Sequence, residues 1–479
     1  MTSPPIIVIG AGPVGLAAAA HLLDRGLEPL VLEAASDIAA HMREWSHVRL
    51  FSPWRYNIDK AARALLEASG WREPPLDELP TGGELVDRYL RPLAALPAIS
   101  TRLRLKHRVT AVSRLGFDKV KTTGREAAPF VLRVTTPDGE IELQASAVLD
   151  ASGTWSTPNP LGANGLPALG EVAHADRIAY GIPDVSEAER PRYAGKRVLV
   201  VGSGHSAANA LLDLATLARQ APGTSIVWAV RGTDLRRAFG GGDADALQAR
   251  GALGTALRHL QESGAIELIL GFRVASVAAD GGRLTVLDQS GRRIKGVDEI
   301  IGATGQRPDL TPLRELRLRL DPWLECAEAL GPLIDPNLHS CGTVRPHGVR
   351  ELTHPEAGFF TVGVKSYGRA PTFLMATGYE QVRSIAAFLA GDTEAAFDVQ
   401  LDLPETGVCS TDLQAPAGNA GGGGGCGGLA PTPSDACCSA DAVAKDAGQA
   451  GCGCGDATTA DPVPAIVRAS DRCCGSPAS

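Results

Sequence analysis

The sequence predicts an α/β chain made of two parallel-sheet units, the second inserted into the first, followed by a disordered cysteine-rich tail. Three observations carry this. Two segments of the form strand, glycine turn, helix, strand begin at Ile6 and at Arg197. Two short glycine segments, residues 149–154 and 300–308, flank the second of these units. Regular patterning stops near residue 400, and eight of the ten cysteines lie after residue 404.

The bulk composition agrees. A chain of 479 residues can build two or three domains with cores of their own. Hydrophobic content of 44% and charged content of 21% are those of a globular protein. A net charge of -8 argues against a nucleic-acid partner. No apolar run reaches the roughly 18 residues that a membrane span needs. The apolar run Ile6 to Ile9 leads straight into a glycine motif, so it reads as a strand and not as a signal peptide. A cytoplasmic location is the resulting expectation, and a homodimer is left open as the assembly.

The first unit starts with Ile6-Ile7-Val8-Ile9, a buried parallel strand, followed by Gly10-Ala11-Gly12-Pro13-Val14-Gly15. Leu16 to Asp24 reads as a helix closed by Gly26, and Leu30-Val31-Leu32 as the next strand, with Glu33 at its end. Gly10 permits a tight turn, Gly12 lets a pyrophosphate approach the helix N-terminus, and Gly15 lets helix and strand pack closely. Glu33 is placed to accept hydrogen bonds from a ribose diol. A site this near the start of the chain favours FAD.

The second unit repeats the pattern. Arg197 to Val201 is a strand, Gly202-Ser203-Gly204-His205-Ser206-Ala207 the turn, and a helix follows to about Ala218. Ala207 takes the third glycine's place. The next strand, Ser225 to Val230, ends on Arg231, with Arg236 and Arg237 close behind. Cations at this point suit a 2′-phosphate that a carboxylate would repel, which selects NADPH over NADH. Two sites of opposite charge imply a circuit in which hydride passes from NADPH to the flavin.

The joints Leu149-Asp150-Ala151-Ser152-Gly153-Thr154 and Ile300 to Pro308, with Gly305, turn the chain between units. Phe359 to Gly363 reads as a strand, and Pro371 to Ala390 as a helix starting near Thr372, whose N-terminal dipole would favour a reduced, anionic flavin. The division expected is a first FAD-binding part at 1–160, an inserted NADPH-binding domain at 161–300, a second FAD-binding part at 301–403 and the tail at 404–479. Gly305 and Gly363 join the expected cofactor-binding residues. The tail holds no Phe, Tyr or Trp, and eight acidic residues against three basic ones. Such a composition cannot bury enough apolar surface to offset its ordering entropy.

Taken in order, GAGPVG with Glu33, VGSGHSA with Arg231, and the joints ASGTW and GATGQRP resemble the class B flavin-dependent monooxygenases over about residues 4–395. The resemblance implies two Rossmann-like domains, FAD, NADPH, and a C4a-hydroperoxyflavin that oxygenates a soft nucleophile with O2. That family carries an FxGxxxHxxx-aromatic fingerprint between its glycine motifs. Here Gly170 and His174 match, Ala168 and Ile178 stand where aromatics would, and Tyr180 follows two places late. More narrowly, His339 to Gly348, Lys365 to Leu374 and the terminal Arg472-Cys473-Cys474-Gly475 are similar to the flavoprotein monooxygenases associated with bacterial arsenic resistance.

The thiols suit that reading. Trivalent arsenic prefers thiolates. Cys437, Cys438, Cys452, Cys454, Cys473 and Cys474 are candidates to capture it or a soft metal, and Cys326 and Cys341 are candidate substrate thiols in the folded body. Small buried hydrophobes are the plainer role for Cys326 and Cys341. No CxxC spacing occurs, which weakens a zinc reading. Oxygenation of an arsenical asks little of side-chain acids and bases, and no catalytic triad or carboxylate pair is visible. The rivals are a disulfide or thiophilic-metal reductase, a monooxygenase of organic sulfides or amines, and a metallochaperone with a vestigial flavin. A reductase needs a cysteine pair beside the flavin, and the first 325 residues contain no cysteine.

Overall fold

The computed structural model describes residues 4–242, 245, 247–338, 347–370 and 373–400. Cys341, Thr372 and every cysteine of the tail lie outside the described residues.

Apolar runs buried on both faces build two five-stranded parallel sheets. The first sheet has the order Phe359–Thr361, Ala147–Asp150, Ile6–Ile9, Pro29–Leu32, Leu103–Arg104. The second has the order Ile266–Leu270, Ser225–Val230, Arg197–Val201, Glu299–Gly302, Ile178–Tyr180. Ile7, Val8, Val198, Leu199 and Val200 are fully inaccessible, which explains why these strands read as unbroken apolar runs. All strands of the second sheet fall between Ala147–Asp150 and Phe359–Thr361 in the chain, so the second sheet is an insertion in the first. This is the α/β architecture of two Rossmann-like sheets, one within the other. No helix of the described residues is long and apolar enough to cross a membrane.

Each sheet has one long helix directly after its glycine turn. The first runs Pro13–Asp24, three residues earlier than the expected start, because Pro13 at the first position supplies a helical φ and needs no N–H partner. The second runs His205–Gln220. Two antiparallel three-stranded sheets complete the body: Arg108–Arg114, Phe130–Thr136, Gly139–Ala145, and Val274–Asp280, Arg283–Asp288, Arg293–Val297. Buried Glu356 bonds Arg114 Nε at 2.7 Å and Arg125 Nη2 at 2.8 Å, tying the former sheet to the chain beyond the insertion.

The helix expected from Thr372 begins at Met375 and runs to Leu389. Phe373 sets its edge on the Tyr367 ring, 5.1 Å between centroids, and Leu374 stays extended with ψ 140°.

Candidate functional site

The two glycine turns obey one geometric rule. Gly10 has φ +100°, and a Cβ there would come within 2.8 Å of the Ala151 carbonyl oxygen. Gly202 has φ +133°, and a Cβ there would come within 2.1 Å of the Ala303 carbonyl oxygen. Both therefore need glycine for the fold itself. The middle glycines differ. Gly12 and Gly204 have extended backbones that any residue could adopt (φ -81° and -87°). Among the described residues, an added Cβ would meet nothing within 4 Å at either one. The protein does not require glycine there, but a ligand pressed against the backbone would.

Both following helices begin without a side-chain cap and without an acidic residue in the first turn. Their first N–H groups and positive dipole ends are left for an anion. A cradle that a Cβ would fill, at an uncapped helix start, fits a pyrophosphate at each turn.

The ends of the neighbouring strands set the charge. Glu33 accepts from Ala11 N and from Ala35 N, both at 2.8 Å, so its carboxylate closes over the first turn. At the corresponding place in the second unit, Arg231, Arg236 and Arg237 line one cleft of about 1590 Å³ together with Gly202, Gly204 and Gly305. Among the described residues Arg231 bonds the Ala163 carbonyl at 3.4 Å, and Arg236 bonds its neighbour Asp234 at 3.3 Å.

The same cleft takes in the crossings between the sheets. Asn159 N bonds Gly305 O at 2.9 Å, Arg307 N bonds Thr157 O at 3.0 Å, and Thr154 Oγ1 bonds Gln306 at 3.2 Å. Trp155 covers Gly181, where a Cβ would lie 2.9 Å from the indole, and its Nε1 donates to Glu44 at 2.6 Å. His205 opens on the cleft and meets the Phe51 ring at 5.2 Å. Its ring is exposed on the cleft side, and partial desolvation together with the Arg250 guanidinium holds its pKa below the ordinary histidine value.

The fingerprint region is rebuilt around Glu171, which the sequence did not single out. Glu171 accepts from Ala168 N at 2.7 Å, from Leu161 N at 3.1 Å and from the Tyr180 hydroxyl. Tyr180 lies against Gly302, where a Cβ would come within 2.7 Å of the ring. Burial and the Glu171 carboxylate push the Tyr180 phenol above its usual pKa. Gly170 has φ +82°, and its carbonyl accepts from His174 N at 3.1 Å, so His174 closes a local turn.

Several expected site residues are not in the cleft. Gly10, Gly12, Gly15 and Glu33 form the first cradle, outside the lining of the cleft. Ala207 is fully buried on its helix. Gly363 is packed on Val14, and its N–H is committed to Gln381 at 2.9 Å, leaving Val364 to face the cleft. Cys326, a candidate substrate thiol from sequence, is corrected to a core residue. It is 2% exposed, and burial pushes its pKa up to about 12, so it offers no thiolate near neutrality. Among the described residues no group of three or more His, Cys, Asp or Glu could hold a metal ion. Cys437, Cys438, Cys452, Cys454, Cys473 and Cys474 lie outside the described residues.

With this geometry in hand, comparison with known proteins adds context. Residues 7–328 match the family described as pyridine nucleotide-disulphide oxidoreductase. Indole-3-pyruvate monooxygenase YUCCA1 of Oryza sativa subsp. japonica is 29% identical over 212 residues, 44% of this chain and 45% of that protein. The chain thus spans about half the length of the curated relatives it matches. Bacillithiol disulfide reductase Bdr of Bacillus cereus is similar in structure, with a TM-score of 0.60 and 19% identity over 81% of this chain and 99% of that one. A flavin-containing monooxygenase of Stenotrophomonas maltophilia gives a TM-score of 0.52 and 19% identity over 82% of this chain and 99% of that one. At these identities the structural likeness is one of fold.

Proposed function

Because this chain belongs to the pyridine nucleotide-disulphide oxidoreductase family, we propose that it binds FAD at the first glycine turn and NADPH at the second and works as a monooxygenase. The observation that carries the reading is the pair of open cradles at Gly12 and Gly204, each at an uncapped helix start. Glu33 would hold the FAD ribose. Arg231, Arg236 and Arg237 would hold the 2′-phosphate of NADPH, each charge-assisted contact contributing roughly 1.5–3 kcal/mol. Bound flavin supplies the hydride acceptor and the means of activating oxygen. The chain's share is positioning: half-buried Trp155 and buried Leu161 give the cleft an apolar wall against which a ligand can be held.

For the substrate we propose a trivalent arsenical, arsenite or methylarsenite, oxidised to its pentavalent form. Support comes from the thiol-rich tail and from the absence of any demand for side-chain proton transfer. The monooxygenase named among the relatives supports oxygenation in general. A disulfide or thiophilic-metal reductase is the second reading, favoured by the terminal pair Cys473-Cys474. Cys326, the only cysteine among the described residues, is buried with a protonated thiol, which counts against that reading.

The test is to reduce the protein with NADPH without air and then admit oxygen with and without methylarsenite. Oxygenation predicts pentavalent product in proportion to the NADPH and O2 consumed. Oxygen-independent turnover of a disulfide or metal ion would replace this proposal with the reductase.

A further inference from the structure

The short turn Gly363–Tyr367 places a lysine in the core beside the first cradle. Lys365 Nζ lies 2.7 Å from Asp150 Oδ2 and 3.0 Å from Ser152 Oγ, and the charged side chains are each 3% exposed. Asp150 also accepts from Ser152 N at 3.1 Å and Ser152 Oγ at 2.6 Å. A buried ion pair is weak evidence for stability, since desolvation offsets much of the attraction. This one calls for another role.

Its surroundings indicate which. Ala151 and Ser152 back directly onto Gly10 of the first turn, at 2.8 and 3.1 Å from a Cβ placed there. Gly363 packs on Val14, in the first turn of the helix that the cradle starts. Val364, next to Lys365, lines the cleft. The ammonium therefore sits at the carboxyl ends of the first sheet's strands, where ligands of open α/β sheets bind.

An ammonium has three N–H donors. Among the described residues Lys365 has two acceptors, so one donor is uncommitted. The turn cannot swing away to find a third. Gly363 N is held by Gln381 Oε1 at 2.9 Å, and Gln381 Nε2 lies 2.9 Å from both Ser366 Oγ and His347 Nε2.

We propose that Lys365, balanced by Asp150, is a positioning cation for the bound flavin. Its spare N–H meets an acceptor on the flavin, and its charge strengthens the flavin's hold on electrons. The proposal rests on the flavin reading above. A flavin gains negative charge on reduction, so a nearby fixed cation favours the reduced form and a nearby carboxylate opposes it. The two residues must then act with opposite sign, which a merely structural pair would not do.

The experiment compares full-length wild type, Lys365→Met, Asp150→Asn and the double variant. The midpoint potential of the bound flavin is read by spectroscopic titration against reference dyes, and flavin bleaching by sulfite is read in parallel. Lys365→Met is expected to move the equilibrium at least tenfold toward oxidised flavin, about 30 mV more negative for a two-electron couple. Sulfite affinity should fall with it. Asp150→Asn is expected to move both readouts the other way, and the double variant to fall between. Loss of flavin from Lys365→Met alone, with flavin kept by Asp150→Asn, also supports the contact. If Lys365→Met does not fold, Asp150→Asn and the double variant decide. A yellow wild type whose variants keep its potential within threefold overturns this proposal alone. A wild type that stays colourless in excess flavin overturns the flavin reading as well.

Discussion

The two glycine turns of this chain share a backbone and differ in the charge that finishes them. In both, the first glycine is demanded by the residue that follows a neighbouring strand, Ala151 in one and Ala303 in the other, and the second by nothing among the described residues. The third position separates them. A Cβ at Gly15 would lie 1.9 Å from the Gly10 carbonyl oxygen, whereas the second turn accommodates Ala207 fully buried. Beyond the turn, one unit ends its strand on Glu33, bonded back to the loop, and the other on arginines that face an open cleft. On the proposed reading, one fold would serve two ligands by changing a few residues at a strand end, while the glycine pattern would report only that a phosphate is held.

That contrast can be broken at several points. The largest effect is expected at the third position. Gly15→Ala should destabilise by more than about 4 kcal/mol, because backbone cannot move away from the new methyl, while Ala207→Gly should cost about 1 kcal/mol; denaturant titration of both separates the turns. His354 belongs to neither turn and gives the baseline for pH. It is 4% exposed, burial lowers its pKa to about 4, and its Nε2 has no hydrogen-bond partner among the described residues. The unfolded chain takes up this proton first, so the stability is complete above about pH 6.5 and is lost as pH falls toward 4. The loss is on the order of 3 kcal/mol, and His354→Phe should flatten it in melts across that range.

Next, Gly12→Val should yield folded but colourless protein. Gly204→Val should stay yellow and lose NADPH-driven flavin reduction about a hundredfold, read by stopped flow. The smallest effect is expected at the charge. Arg231→Ala should raise KM for NADPH about tenfold and leave KM for NADH within about twofold. Equal changes for both dinucleotides would mean that Arg231 does not read the 2′-phosphate.

How much of this was legible in the sequence depends on the distance over which each feature is set. Strands such as Ile6–Ile9 and Ser225–Val230 are buried apolar runs bounded by glycine, and they emerge at the expected places because the signals are local. The charge contrast between Glu33 and Arg231 is local too. Lys365 and Asp150 are 215 residues apart, and nothing near either one advertises the partner. Glu171 is an ordinary acid in the sequence and becomes the hub for Ala168, Leu161 and Tyr180 only once the loop closes. Cys326 read from sequence as a candidate substrate thiol or a small hydrophobe, and burial among core residues decides for the hydrophobe. The helix starts late, at Met375, beyond a ring contact between Tyr367 and Phe373 that periodicity does not encode.

The hydrogen bonds that join residues 157–159 to residues 304–307 have a consequence for how the gene can be altered. The chain leaves one sheet and returns to it through segments joined by an isolated antiparallel bridge, Pro158 to Gln306, so an insertion or deletion in one crossing misaligns the other. Swapping the inserted lobe for that of a relative would have to carry both crossings as a matched set. A single protease cut within either would leave the pieces fastened side by side.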